Sequence, residues 1–207
     1  MRNNLVALAA VAASMLPLAA QADVKGAQGT VGSLPFLALS STGLTGSAPA
    51  TLSGGSVLSG SQLGLTQPTA DGATNYLGAG PSVGNPATLT FITPVSYVSF
   101  LWGTPDTYNT FSARTVGGTT YKFGLADLGL TAYSGSGTAN FQSYVQFLAT
   151  NGDQIKSITF DSAPANAFEA TNFRAVATPG PIAGAGLPAI FAVAGAWFVR
   201  RRRQQAA

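Results

Sequence analysis

Phe141-Gln142-Ser143-Tyr144-Val145-Gln146-Phe147-Leu148-Ala149-Thr150-Asn151-Gly152-Asp153-Gln154-Ile155-Lys156-Ser157-Ile158-Thr159-Phe160 is the stretch on which the fold turns. Its first half puts Phe141, Val145 and Phe147 on one face and Gln142, Tyr144 and Gln146 on the other, the period-2 pattern of a half-buried strand. Asn151-Gly152 follows, the dipeptide of a type I′ turn, whose two central residues both need positive φ. The expectation is a hairpin pairing Phe141–Thr150 with Gln154–Phe160.

Working outward, the same signals recur. Phe111–Val116 and Thr119–Phe123 flank Gly117-Gly118, a second hairpin signal. Ala87–Ile92 and Val95–Trp102 are rich in β-branched and aromatic residues, and Thr93-Pro94 punctuates them. In the second of these Val98, Phe100 and Trp102 share one face, with Tyr97 and Leu101 on the other. A last strand is expected from Ala167 to Val176, and only Leu125–Leu130 fits a helical turn. Many short strands at roughly ten-residue spacing, without a long helical period, predict an all-β antiparallel β-sandwich.

Toward the N-terminus, residues 23–86 are rich in Gly, Ser, Thr and Ala. Weak strands are expected at Leu34–Ser40, Thr51–Leu58 and Gln62–Thr66, with Thr74–Leu77 a loop or brief strand. A disordered stalk is the rival reading. The spacing of Leu34, Phe36, Leu39, Leu44, Leu52, Val57, Leu63 and Leu65 favours strands.

Both termini read as targeting segments. Residues 1–22 carry Arg2, an apolar run from Leu5 to Leu18, and Ala20-Gln21-Ala22. That is the pattern of a secretory signal peptide cut after Ala22, leaving Asp23 first, with a retained anchor as the alternative. Residues 178–207 read Thr178-Pro179-Gly180-Pro181, an uncharged run Ile182–Val199, then Arg200-Arg201-Arg202-Arg203. As a helix, residues 182–199 would be ~27 Å long, near the ~30 Å of a bilayer core. Trp197 sits where interfacial aromatics sit, and four arginines are costly to translocate, so they should stay cytoplasmic. A buried core helix with a basic tail is the alternative. The domain between is residues 23–177.

Composition narrows the chemistry. The chain's formal charge is +3, but Arg2 and the four tail arginines supply half of its ten basic residues. Between residues 23 and 177 stand Lys25, Arg114, Lys122, Lys156 and Arg174 against all seven acids, five against seven and so about −2. That is no nucleic-acid footprint. With neither Cys nor His, disulfides, thiolate nucleophiles and ordinary zinc sites are excluded, and the commonest general base is missing. A serine nucleophile would have only Lys25, Lys122 or Lys156 as its base, and no G-x-S-x-G elbow is present. Lys122 and Lys156 read as the wet face of strands. A glycosidase would need two carboxylates ~5–9 Å apart across a cleft. Asp106 and Glu169 are the pair folding would have to join, and the expectation is that they are not catalytic. A calcium site needs only hard oxygens. Asp153, Asp161, Glu169 and Asn172 are the weak candidates, so the expectation is no cofactor with calcium as the exception. Trp102, Tyr108, Tyr133 and Tyr144 are candidates for a sugar-stacking surface, against core packing as the ordinary role of Trp102.

The order Pro179-Gly180-Pro181, apolar helix, arginine cluster, chain end resembles the PEP-CTERM sorting signal of Gram-negative bacteria. In that family a Pro-Glu-Pro motif precedes the helix, and exosortase, a membrane cysteine transpeptidase, processes the protein for the surface. Here Gly180 stands in the Glu position, and residues 180–188 resemble a Pro-Gly-Pro variant of the signal. The stretches Phe100–Asn109 and Asn166–Phe173 are similar to ectodomains of this family. The resemblance implies a jelly-roll-like surface protein, held at the inner membrane as a precursor, with exosortase as a partner. Its expected role is structural or adhesive in an exopolysaccharide layer. A secreted carbohydrate-binding module is the alternative, and a secreted hydrolase the third reading.

Overall fold

The computed structural model describes residues 23–62, 65–68, 70–132, 142–165 and 167–178. Strands β1 (Asp23–Gln28), β2 (Ala38–Ser40), β3 (Gly43–Thr45), β4 (Ala50–Ser53), β5 (Ser56–Leu58) and β6 (Tyr76–Ala79) come from the N-terminal half. Strands β7 (Ala87–Gly103), β8 (Asn109–Thr115), β9 (Thr120–Phe123), β10 (Gln142–Thr150), β11 (Ile155–Ser162) and β12 (Phe168–Ala177) follow. Every pairing is antiparallel, as the strand pattern predicts. No helix among the described residues is long and apolar enough to cross a membrane, and the expected span 182–199 lies outside them, as does the expected signal peptide.

Strand β7 is the spine. Ala87–Ile92 and Val95–Trp102 are one strand, not two, and the chain bends between them at Thr93-Pro94. Its second half lies between β10 and β12, its first half between β11 and β4. Val95 pairs with both Ile155 and Ala177, so β11 and β12 hold opposite edges of β7, and β10 shares the edge of β11. Beyond β10 lies β1; beyond β12 lie β6 and β5; beyond β4 lie β3 and β2; beyond β11 lie β8 and β9.

This pairing corrects the hairpin expectation. The Asn151-Gly152 turn forms, with φ of 57° and 81°, and the Asp153 N–H donates to the Thr150 carbonyl at 3.1 Å. Yet β10 and β11 do not pair with each other. They run in the same direction along one edge of β7, and the turn is an excursion between them. Turn chemistry is local, whereas the long edge of β7 offers both strands more ladder than they offer each other. Gly152→Val is still expected to cost about 1 kcal/mol or more, because a β-branched residue tolerates positive φ poorly. No atom lies within 4 Å of a Cβ built there, so a drop in melting midpoint would report backbone strain alone. An unchanged midpoint would count against the turn.

The second hairpin does form, between β8 and β9. Its turn differs from the expected type: only Gly118 has positive φ, at 90°, and its N–H donates to the Thr115 carbonyl at 3.0 Å. That is a three-residue loop with glycine at the left-handed position. The expected helical turn is a short 3₁₀ turn at Ala126–Leu128, which buries Leu128.

The N-terminal half is part of the same body and not a stalk. Val24, Leu44, Ala50 and Leu77 are buried in the common core. The weak-strand expectations hold in part. Thr51–Leu58 breaks at Gly54-Gly55 into β4 and β5; Leu34–Leu37 is loop before β2; and Gln62 with Leu65 makes one isolated bridge. Strand β1 was not expected at all: Asp23–Gln28 has little apolar alternation, and β10 supplies its ladder.

The core is aromatic. Phe100 lies within 5.2–6.2 Å of Phe111, Phe147, Phe160, Phe168 and Phe173. Phe111 of β8 stacks on Phe147 of β10 at 4.0 Å, and Phe160 of β11 meets Phe168 of β12 edge-on at 5.0 Å. None of these strand pairs are ladder neighbours, so the sheet doubles over on itself and closes around these rings. The apolar faces read from sequence point inward, including Val98, Phe100 and Trp102.

Candidate functional site

The sheet formed by β10, the second half of β7 and β12 is covered on both faces. Phe168, Ala170, Phe173 and Ala175 of β12 face the aromatic core. Glu169, Thr171 and Arg174 alternate with them and face the other way, yet are also buried. What covers them is two loops, one of residues 29–37 and one whose described residues are 59–62, 65–68 and 70–75. A β-bulge at Asn172, with φ of 53°, adds one residue against β7 and so keeps both Phe168 and Phe173 inward.

Most polar groups on this outer face hold loop residues, while the Ser99 hydroxyl and Arg174 Nη1 are buried without a hydrogen-bond partner. The Arg174 Nε–H donates to the Leu34 carbonyl at 2.6 Å, and the Thr171 hydroxyl to the Asn75 carbonyl at 2.6 Å. Asn172 Nδ2 donates to the Ala70 carbonyl at 2.9 Å, and Gln142 Oε1 accepts from the Ala70 N–H at 3.0 Å. The Tyr144 hydroxyl donates to Asp71 Oδ2 at 2.7 Å and accepts from Asn172 Nδ2 at 3.1 Å. Burial unmatched by hydrogen bonds is costly, so these tethers fix both loops over the sheet.

Glu169 is the most perturbed of them. At 1% exposure, it accepts the Thr104 hydroxyl on Oε2 at 2.6 Å and the Thr66 N–H on Oε1 at 3.1 Å. Desolvation outweighs both hydrogen bonds and pushes its carboxyl up to about 8, with the Asp106 charge adding to the rise. Asp106 is itself raised by desolvation, against the hydrogen bond it accepts from the Tyr108 hydroxyl at 2.8 Å. Burial, then Asp106, pushes Tyr108 well above its ordinary value. Folding therefore does bring Asp106 and Glu169 into electrostatic range. Glu169 is nonetheless almost wholly covered, its oxygens held by the Thr104 hydroxyl and the Thr66 N–H, beside a space lined by Thr66, Pro68, Gly103 and Thr104 that is too tight for a water molecule.

The other sequence candidates fall as follows. Trp102 is not a sugar platform: it is fully buried and stacked on Phe168 at 4.2 Å. Tyr144 is buried beneath the loops, Tyr108 is half-buried, and Tyr133 lies outside the described residues. The calcium candidates are held separately. Asp153 Oδ1 accepts the Gln154 N–H, Asp161 accepts Asn85 Nδ2 at 2.6 Å, and Glu169 and Asn172 hold loops. Among the described residues no three acidic side chains converge. Pro179, Gly180, Pro181, Arg200–Arg203, Ala20 and Ala22 lie outside the described residues, while Asp23 opens β1.

What the sequence did not single out is the gap between the two loops. A cleft of about 300 Å³ is bounded by Phe36–Leu39 on one side and Asp71–Asn75 on the other, with Thr171 and Asn172 beneath. Phe36 stood in the sequence as one of a series of spaced apolar residues. The chain was compared with family models, curated proteins and solved structures, and nothing matched.

Proposed function

We propose that the chain is an exported surface protein of the PEP-CTERM kind, sorted by an exosortase-type transpeptidase from the inner membrane. The mature domain, a jelly-roll-like β-sandwich, serves as a structural or adhesive component of an exopolysaccharide layer. The observation that carries the reading is that an all-β body fills the stretch between the two motifs: Asp23 opens β1, and the Thr178 N–H still donates to the Pro94 carbonyl at 3.0 Å. Cuts after Ala22 and beyond Thr178, as the motifs imply, would leave every described strand intact. Two prolines around Gly180 can neither extend β12 nor favour helix before residue 181. A non-catalytic role agrees with a most perturbed carboxylate that is sealed under Pro68 and Thr104.

The test is Pro179→Ala with Pro181→Ala in the native host. The expected result is an unchanged ectodomain melt, full-length precursor accumulating in the inner membrane, and loss of the mature form from surface and medium. Maturation at the wild-type level would reduce the motif to a spacer and remove the residue-level support for exosortase.

A further inference from the structure

We infer that the cleft between residues 36–39 and 71–75 is a saccharide subsite, shaped for one neutral pyranose unit that presents a vicinal hydroxyl pair. The inference takes the polymer-layer reading as its setting but stands on separate geometry.

Four observations point to that chemistry. First, Phe36 lines the cleft with 40% of its surface exposed, and the Arg174 guanidinium carbon lies 3.8 Å from its ring centre. Arg174 is itself buried and bonded to the Leu34 carbonyl, so the ring rests on a fixed support. A held, partly bare aromatic is what the C–H face of a pyranose stacks on, and holding it beforehand lowers the entropic cost of binding. Second, Asp71 on the facing wall uses only Oδ2, for Tyr144; its Oδ1 has no partner among the described residues. A carboxylate accepts hydroxyl hydrogens strongly. Third, Thr74 and Asn75 are exposed, and their side chains hold no hydrogen bond to a described residue. Asn supplies both donor and acceptor, matching an adjacent hydroxyl pair. Fourth, Asp71 and Asn172 both hold left-handed backbone, with φ of 54° and 53°, at a wall and the floor of the same cleft. Non-glycine residues in that region collect at binding sites. The cleft volume is at the lower end of small-ligand sites, enough for one sugar unit and not for a buried chain. Arg174, the cation under Phe36, is covered, and Asp71 is anionic, so acidic sugars are disfavoured.

The experiment uses full-length protein in a detergent without a sugar headgroup, screened on an array of neutral polysaccharides and titrated with the matching monosaccharides. Wild type is expected to retain at least one hexose-based polymer, with Phe36→Ala lowering affinity about tenfold or more. Because Phe36 also covers Arg174, Asn75→Ala is the second variant; its side chain holds no hydrogen bond to a described residue, and a several-fold loss at an unchanged melting midpoint is expected. Competition by free monosaccharide at millimolar concentration would place the recognition in a single unit, while polymer-only binding would add the flanking rim. No retained saccharide, or retention untouched by both variants, would overturn the inference. Those failures leave the sorting reading intact if the mature form still reaches the surface. A precursor that binds sugar but never matures would sink sorting and spare the site.

Discussion

Phe100→Ala is expected to destabilise the domain by about 3–5 kcal/mol, the usual range for removing a buried aromatic. The ring sits on the spine strand and touches phenylalanines from four others: β8, β10, β11 and β12. Its loss opens a cavity at the one place where both halves of the doubled sheet meet. Because these neighbours stand on paired strands, they cannot close in without disturbing the ladder. Against a total stability of about 5–15 kcal/mol, that is a large fraction. For a domain of this size it corresponds to a fall in melting midpoint on the order of 10 °C. Phe100→Leu, which keeps much of the volume, should cost far less. Urea unfolding of both variants measures the difference, and a loss under about 1 kcal/mol for the alanine would mean the ring is not a hub.

The second large effect is a stability that declines with alkalinity. Glu169 has an ordinary carboxyl value of 4.5 when unfolded and about 8 in the fold. Below the first value the proton is bound in both states and nothing differs. Between the two, the folded protein holds a proton that the unfolded chain has released, so stability falls as pH rises. The slope is about 1.4 kcal/mol per pH unit while both conditions hold, and the total is a few kcal/mol. Above about 8 the carboxylate is charged in both states and the loss is complete. The wild-type domain should therefore melt highest near pH 4–5 and lower at pH 8.5. Glu169→Gln keeps a neutral group that can still accept the Thr66 N–H. It should match wild type near pH 5, exceed it at pH 8.5, and show a much flatter profile. Whatever slope persists belongs chiefly to Asp106, which is raised in the same direction. Identical profiles for the two proteins would show that Glu169 is not the titrating group.

How far the sequence could be read follows from what is local. Period-2 alternation in residues 97–102 and 142–147 records which side of a strand meets oil, and the inward faces Val98, Phe100, Trp102 and Val145, Phe147 were legible. So were the 3₁₀ turn and the positive φ of Gly152. Pairing was not, because a strand's edge carries no side-chain signature. Nothing in Asn151-Gly152 says that β10 and β11 will each prefer β7 to one another. Strand β1 was invisible for the same reason: its ladder comes from a partner more than a hundred residues away. The buried polar face of β12 misled most. Glu169 and Asn172 read as ligands and Tyr144 as a platform because sequence shows polarity without showing the loops that consume it. Only once those loops are laid over the sheet does it become plain which groups are held. What is left over, Phe36, Asp71, Thr74 and Asn75, carried no signal of a site: Phe36 read as part of an expected strand, and Thr74-Asn75 as a loop or the start of a brief one.

The route of the chain has a kinetic consequence. Asp23, at the start of the ladder, pairs with Thr150, and the second half of the spine strand, Val95–Gly103, lacks its partner on one edge until residues 168–177 arrive. A ribosome delivers these partners in the wrong order for early closure. The first strand must wait for the tenth, and Phe100 waits for Phe168 and Phe173. Contacts between such distant positions form slowly, because a long loop must close before any of them is rewarded. For most proteins this delay is a hazard, since unpaired edges stick to their neighbours. For the export proposed above it would be an advantage, because the chain would stay threadable until nearly all of residues 23–177 had passed. Only then does the strand that precedes the Pro179-Gly180-Pro181 motif lock the body shut.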